Sequence, residues 1–526
     1  MKNFMNSVSI NRNKKNRFDL THDVKGTMKF GYLYPTLVME CLPGETFKLG
    51  CNMLTRFAPM VYPTMHRFKQ SHQYFFVPNR IIWKNWEKFI GNINNAGSSL
   101  HSSPYFNVLD SGTDGGSVAA PYTALMDHMG IPTPTNTGQP NLVIDALPFY
   151  AYQKIWDDYY RQDFIIPSIF QSQTSAAPLV DGALDGDNGT NPGRVAALTA
   201  LRKRAWEHDY FTSCLPQPQA GFAVELPIGD MVVNRDIDPA TAGSSFTTVA
   251  TTDPSPDISI QNILSENPAI ESTGQLYAEG TNGNTTIEDL RQASAIQRLL
   301  ERLMRTGRRY KELILAAFGT DVGDARLDRP ELIFSVNTPI VISEVQNTTG
   351  TEELPQGNLA GHGIGVTNGK YSTYTTKEHG WIICVSSVLP MTAYQQGLPP
   401  SLDHKDSYLD YFWSEMAHLG EEAVPLRNLY AWTASPNSTF GYLPRFSRYR
   451  TLPNRVVGQF RDSKNSFHFG RIFSSAPALN QAFIECTTDK RIFAVTDENI
   501  DELDFMMVHE IMAFRPVPKF GTPKLD

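Results

Sequence analysis

A mainly β chain, folded as an eight-stranded antiparallel jelly-roll barrel with long loop and helix insertions, is the fold class that three observations predict. Strand-like runs recur along the whole length, at 35–41, 46–50, 72–77, 338–345, 381–389, 455–460 and 505–514. Long connections separate them in place of tight hairpin turns, so strands distant in sequence must pair, as they do when strands are shared between two sheets. Gly and Pro together contribute 72 of 526 residues and are spread throughout, with no charged linker dividing two self-contained halves. That punctuation fits one domain over residues 1–526 carrying insertions better than a tandem of domains, although the length exceeds the roughly 250–300 residues at which single cores stop growing.

The first elements set the pattern. The run His72-Gln73-Tyr74-Phe75-Phe76-Val77 is aromatic and β-branched, suited to a pleated, buried surface, and Pro78 ends it. The period then changes: Ile82, Trp86, Phe89 and Ile90 fall a helical turn apart, predicting a helix over 79–91 with Asn79 as its cap. Two further helices are predicted within the connections. Over 148–163, Tyr152, Ile155, Trp156 and Tyr159 share a face; over 286–306, Ile287, Leu290, Leu299, Leu300 and Leu303 do. Ordinary packing against the sheet is the expected use of these stripes. Arg291, Arg298, Arg302 and Arg305 give the last helix a charged face of the solvated or interface kind.

Charge is segregated more than its net value of −8 suggests. Residues 1–18 form a basic amino-terminal arm with Lys2, Arg12, Lys14, Lys15 and Arg17 and no acid. Residues 440–471 carry Arg445, Arg448, Arg450, Arg455, Arg461, Lys464 and Arg471 against Asp462 alone, interleaved with Tyr442, Phe446, Tyr449, Phe460, Phe467 and Phe469. Guanidinium groups beside aromatic rings can neutralise phosphates while stacking unpaired bases; the same types also fill protein interfaces. Arg12, Lys14, Lys15, Arg17, Arg445, Arg448, Arg450 and Arg461 are therefore the candidate nucleic-acid-binding residues. Residues 228–286 are the reverse, with eight acids, a single base at Arg235 and a Ser/Thr/Gly-rich composition that cannot build its own core.

Catalytic and metal chemistry find little support. Glu207, His208 and Asp209 near Ser213 and Cys214 supply the residue types of an activated nucleophile, yet all lie within one short segment. Asp181, Asp185, Asp187 and Asn188 miss the calcium-loop spacing, and Lys405 interrupts Asp403-His404 and Asp406. Gly361, Gly363 and Gly365 lack the helix and lysine of a phosphate loop and read as a flexible connection. No catalytic residue, metal or cofactor is assigned. Five scattered cysteines, Cys41, Cys51, Cys214, Cys384 and Cys486, predict reduced thiols. The opening residues lack the apolar core of a signal peptide, and no stretch is apolar enough to span a bilayer, so synthesis in the cytoplasm without membrane insertion is expected.

The segment Phe75-Phe76-Val77-Pro78-Asn79-Arg80 resembles one in the major capsid protein of microviruses, the small icosahedral single-stranded-DNA phages, and especially their gokushovirus branch. Phe18-Asp19-Leu20-Thr21-His22-Asp23, Leu42-Pro43-Gly44-Glu45-Thr46-Phe47, the run from Trp206 to Pro216, and Tyr394-Gln395-Gln396-Gly397-Leu398-Pro399 are similar to further segments in the same order. So are the stretch from Asp324 to Glu331, His418-Leu419-Gly420-Glu421 and Arg515-Pro516-Val517-Pro518, leaving uncovered only roughly 170–195 and 228–286.

The resemblance implies a structural protein of the virion. It would assemble in the bacterial host cytoplasm into the smallest icosahedral shell, T=1, of sixty copies around a circular single-stranded DNA. It also implies an internal scaffolding protein, a small basic DNA-packaging protein and a DNA pilot protein as partners. In gokushovirus coats the region equivalent to 228–286 projects near the three-fold axes, and contact with a bacterial surface receptor is expected there. The alternative from a different class is a secreted β-sandwich carbohydrate-binding protein or glycosidase, which would want a signal peptide and two spaced carboxylates.

Overall fold

A computed structural model describes residues 14–90, 103–108, 122–133, 142–170, 192–221, 231–235, 276–280, 287–305, 329–346, 359–369 and 371–520. The chain divides into two compact units, Met1–Pro218 with Gly307–Asp526, and Gln219–Thr306.

The larger unit is built on β1 (Asn16–Asp19), β2 (His22–Met28), β3 (Tyr34–Cys41), β4 (Thr46–Phe57), β5 (Phe68–Pro78), β6 (Tyr105–Val108) and β7 (Leu142–Asp145). After the smaller unit, which holds β8 (Met231–Arg235) and β9 (Leu276–Gly280), come β10 (Glu331–Gln346), β11 (Leu359–Asn368), β12 (Ser372–Thr375) and β13 (Gly380–Pro390). The last are β14 (Glu421–Pro425), β15 (Thr439–Pro444) and β16 (Leu503–Arg515). One curled antiparallel sheet of ten strands runs β1-β16-β4-β11-β10-β5-β13-β3, with β12 joining β4 and β2 joining β16. The jelly-roll class holds. The strand count is larger: eight strands lie on the principal path, and two more, β12 and β2, pair with β4 and β16 beside β11 and β1.

Strand sharing is visible in β10. Its first part, Glu331 to Ile340, pairs with β5, and its second part, Val341 to Gln346, pairs with β11. The same strand thus serves both halves of the curl. β16 shows why the sequence chooses this arrangement: Leu503, Phe505, Met507, His509, Ile511 and Ala513 alternate inward while the residues between them face out. Phe47, Leu49, Phe57, Tyr74, Phe76, Ile382 and Met507 meet in the interior of the curl.

β5 is buried on both faces, which explains its unbroken apolar run. Tyr74 and Phe76 point into the curl, whereas Phe75 and Val77 join a second core with Ile383 and Val385 of β13. Helices cover that outer face: α1 (Asn79–Ile82), α2 (Trp86–Ile90), α3 (Ala124–His128), α4 (Leu147–Ile155) and α5 (Pro192–Leu198). Tyr152, Ile155 and Trp156 are buried there, and Tyr159 packs against Phe75 with ring centres 4.8 Å apart, as the apolar stripe predicted. The helix itself changes pitch, continuing past Ile155 as a π turn over Trp156–Tyr160.

Several local expectations are corrected. The helix over 79–91 is two short pieces, because Trp83 leaves helical conformation (φ −141°, ψ 111°) and its indole is buried in the second core. Asn79 is the first helical residue and makes no side-chain cap; Pro78 holds the cap position. Phe89 and Ile90 are exposed. The predicted strand at 455–460 is instead an isolated bridge from Arg455 to Tyr394 followed by a short 3-10 turn over Gly458–Arg461. In the smaller unit, α6 (Ile287–Arg305) buries Ala293 and half-buries Leu300 of the predicted stripe, while Ile296 and Leu299 are exposed. The side chains of Ile287, Leu290 and Leu303 lie outside the described residues, and Arg291 and Arg298 are exposed.

The Gly361–Gly365 segment is not a flexible connection but the centre of β11, paired with both β10 and β4. Its glycines admit neighbours: a Cβ on Gly363 would meet the Phe57 ring at 2.7 Å, and one on Gly365 would meet Gln70 Oε1 at 2.8 Å.

Candidate nucleic-acid and assembly surfaces

The 391–502 connection between β13 and β16 carries its own core. Its antiparallel pair β14–β15 packs Val424, Phe440 and Leu443 with Tyr210, Phe211, Tyr394 and Phe483. The basic, aromatic stretch starts where β15 ends, and the structure separates its members into two groups.

Arg445, Arg448 and Arg471 are drawn inward. After Pro444 the chain turns through Phe446, the one non-glycine residue with positive φ (64°) among the described residues. The Phe446 amide donates to Glu422 Oε2 at 3.0 Å, which helps hold this strained turn. Arg445 donates to the Leu409 carbonyl at 3.2 Å and lies over the Phe446 ring, while Arg448 lies over Tyr449 and 4.0 Å from Glu422. Arg471 stacks 4.0 Å from the Phe483 ring centre and donates to the Phe483 carbonyl at 2.7 Å, so it plugs the local core. Phe440, Phe446 and Phe469 are likewise buried.

Arg450, Arg455, Arg461 and Lys464 form the second group, exposed together with Leu452 and Val457. Of the amino-terminal candidates, Lys14 and Lys15 are exposed. Arg17 is not on a free tail: β1 pairs with β16, and its Nε lies 2.8 Å from Met512 Sδ. Arg12 and the 236–275 portion of the acidic insertion lie outside the described residues.

Sequence reasoning missed the segment just upstream. Tyr408, Tyr411, Phe412 and Trp413 are 71%, 56%, 57% and 49% exposed, and Trp432 is 92% exposed. The run Tyr408–Trp413 is neither helix-periodic nor alternating. That lack of period, in so aromatic a stretch flanked by Asp406 and Glu415, was the available signal.

The nucleophile types do not assemble. Asp209 accepts from the Phe211 and Thr212 amides and from the Tyr394 hydroxyl, Glu207 pairs with Lys69, and His208 is exposed. Cys214 is buried, with its thiol donating to the Tyr210 carbonyl, and burial pushes its pKa upward. Asp403 is engaged by Arg427 at 2.8 Å. All five cysteines are buried and unpaired in disulfides.

A curled jelly-roll sheet whose 391–502 connection exposes aromatic rings beside arginines has the construction of a viral coat protein. Residues 6–525 match the family described as capsid protein (F protein), and the chain belongs to that family. It is 32% identical to capsid protein VP1 of Bdellovibrio phage phiMH2K over 98% of this chain and 96% of that one. Its identity to capsid protein VP1 of Chlamydia phage 1 is 28%, over 100% and 98% of the two chains. Spiroplasma virus 4 capsid protein VP1 is 27% identical over 97% and 95%. The chain is thus a structural capsid protein of the virion in the microvirus lineage, and self-assembly into a shell is its activity. Among the described residues no helix is long and apolar enough to cross a membrane.

Proposed function

We propose that sixty copies of this chain close a T=1 icosahedral shell around a circular single-stranded DNA genome. The observation that carries the reading is the near end-to-end similarity to three VP1 capsid proteins, over 97–100% of this chain. Exposed Lys14 and Lys15 are the basic side chains best supported as DNA contacts, because among the described residues neither forms an ion pair within the subunit. The inward-drawn Arg445 and Arg448 have a structural role first. An internal scaffolding protein, a small basic DNA-packaging protein and a DNA pilot protein complete the assembly, which takes place in the cytoplasm of the bacterial host. The acidic 228–286 insertion serves recognition of a bacterial surface receptor; a loop with eight acids and one base suits an outer surface better than one facing DNA. The chain acts by association and not by catalysis.

Electron microscopy of nuclease-treated particles made from the phage genes tests this reading. Closed T=1 shells protecting single-stranded DNA are expected; a monodisperse monomer in the presence of all phage products contradicts it. Deleting 240–280 separates the roles, with particles still closing and host attachment lost.

A further inference from the structure

The aromatic turn over 406–415 is presented rigidly. Ser407 and Asp410 form a reciprocal cap, the Ser407 amide donating to Asp410 Oδ2 at 3.0 Å and the Leu409 amide to Ser407 Oγ at 3.2 Å. The Trp413 indole donates to the Tyr408 carbonyl at 2.9 Å, and Phe412 packs edge-on against Phe446 at 5.3 Å. The turn is therefore fixed while its rings stay in water, an arrangement with no benefit to the isolated subunit and a low ordering cost on association.

Charge selects the partner. Asp406 and Glu415, both well exposed, flank the rings, and Lys405 is the only lysine or arginine between 402 and 426. Carboxylates in that position repel a phosphate backbone and welcome a basic protein surface. Such a surface exists on the same chain: Arg450, Arg455, Arg461 and Lys464 are exposed beside Leu452 (86%) and Val457 (60%). The composition, rich in Tyr, Phe, Trp and Arg and poor in Lys, is that of a protein interface core.

We propose that the acidic aromatic turn 406–415 of one copy seats against the basic loop 450–464 of a second copy. This rests on the capsid reading and names the contact that the shell uses. The rings of Tyr408, Tyr411, Phe412 and Trp413 cover Leu452 and Val457, while Asp406 and Glu415 face Arg450 and Arg455. Four rings on one copy and two aliphatic side chains on the other, each with about half or more of its surface exposed, supply the apolar centre of such a contact.

The test is a charge swap in the full chain, expressed with the remaining phage genes and read by sedimentation of closed particles. Asp406→Arg with Glu415→Arg, and separately Arg450→Glu with Arg455→Glu, are each expected to lower particle yield about tenfold or more, and all four together to restore it. Phe412→Ser with Trp413→Ser lowers the yield without rescue. Melting of the soluble chain, unchanged in the charge-swap variants, shows that folding is intact. Wild-type yield from either charge pair alone, or failure of the fourfold variant to recover, overturns the pairing. Shells that close normally but package less DNA overturn it in favour of a nucleic-acid contact. Absence of particles from the wild-type chain itself would instead sink the capsid reading.

Discussion

The curled sheet and the 391–502 connection are both rich in aromatic residues, but they spend them in opposite ways. In β5, Tyr74, Phe75 and Phe76 are at most 1% exposed, covered on one face by the interior of the curl and on the other by helices. In the connection, Tyr408, Phe412 and Trp432 stand 57–92% exposed on a backbone held by caps and buried arginines. β5 is covered within the single subunit, whereas the rings of the connection are left for other copies to cover. Stability should therefore reside in the first region and association in the second.

The largest effect of any single substitution is expected from Phe76→Ala, which opens a cavity in the interior and should cost about 3–5 kcal/mol in denaturant unfolding. A cost below about 1 kcal/mol would mean that the curl is not a tightly packed core.

Acid should act on the sheet next. His72 is fully buried between Gln70 and Ser386, and His509 between Tyr74 and the Thr36 carbonyl; burial lowers their pKa values to about 3 and about 4. Because the unfolded chain titrates near 6.5, it binds more protons than the folded one between about 6.5 and 4. Stability then falls as pH drops through that window, by about 1.4 kcal/mol per pH unit for each histidine. Unfolding midpoints measured from pH 7 to pH 4 check the slope, and His509→Gln should flatten it.

A smaller loss is expected from Gly363→Ala. Its Cβ would crowd the Phe57 ring at 2.7 Å, costing about 1–3 kcal/mol by thermal melting. Smallest of all on stability is Trp432→Ser, within about 0.5 kcal/mol of the parent, since its ring is almost wholly solvated. A large destabilisation there would erase the contrast between the two regions.

What the sequence disclosed follows the same division. Period-two and two-sided apolar runs announced β3, β4, β5, β10, β13 and β16, because burial imposes a pattern on the residues that experience it. β11 escaped notice since its alternate positions are glycines, chosen for close approach and not for propensity. The 455–460 run misled because Val456 is buried singly, its amide donating to the Tyr394 carbonyl, with no neighbouring strand to extend the ladder. The helix break at Trp83 had no local signal; the second core decides it. Among the candidate site residues, the clustering of arginines was legible, but the distinction between inward Arg445 and Arg448 and outward Arg450 and Arg461 depends on the turn at Phe446. The aromatic turn 406–415 was invisible to periodicity because its rings serve a surface outside the subunit.

A reconstruction of the intact particle by electron cryomicroscopy, at a resolution that shows side chains, tests this account most directly. Phe412 and Trp413 should lie in density continuous with residues 450–464 of a neighbouring copy and be excluded from solvent. Finding those rings bathed in solvent, or stacked on packaged DNA, would contradict it.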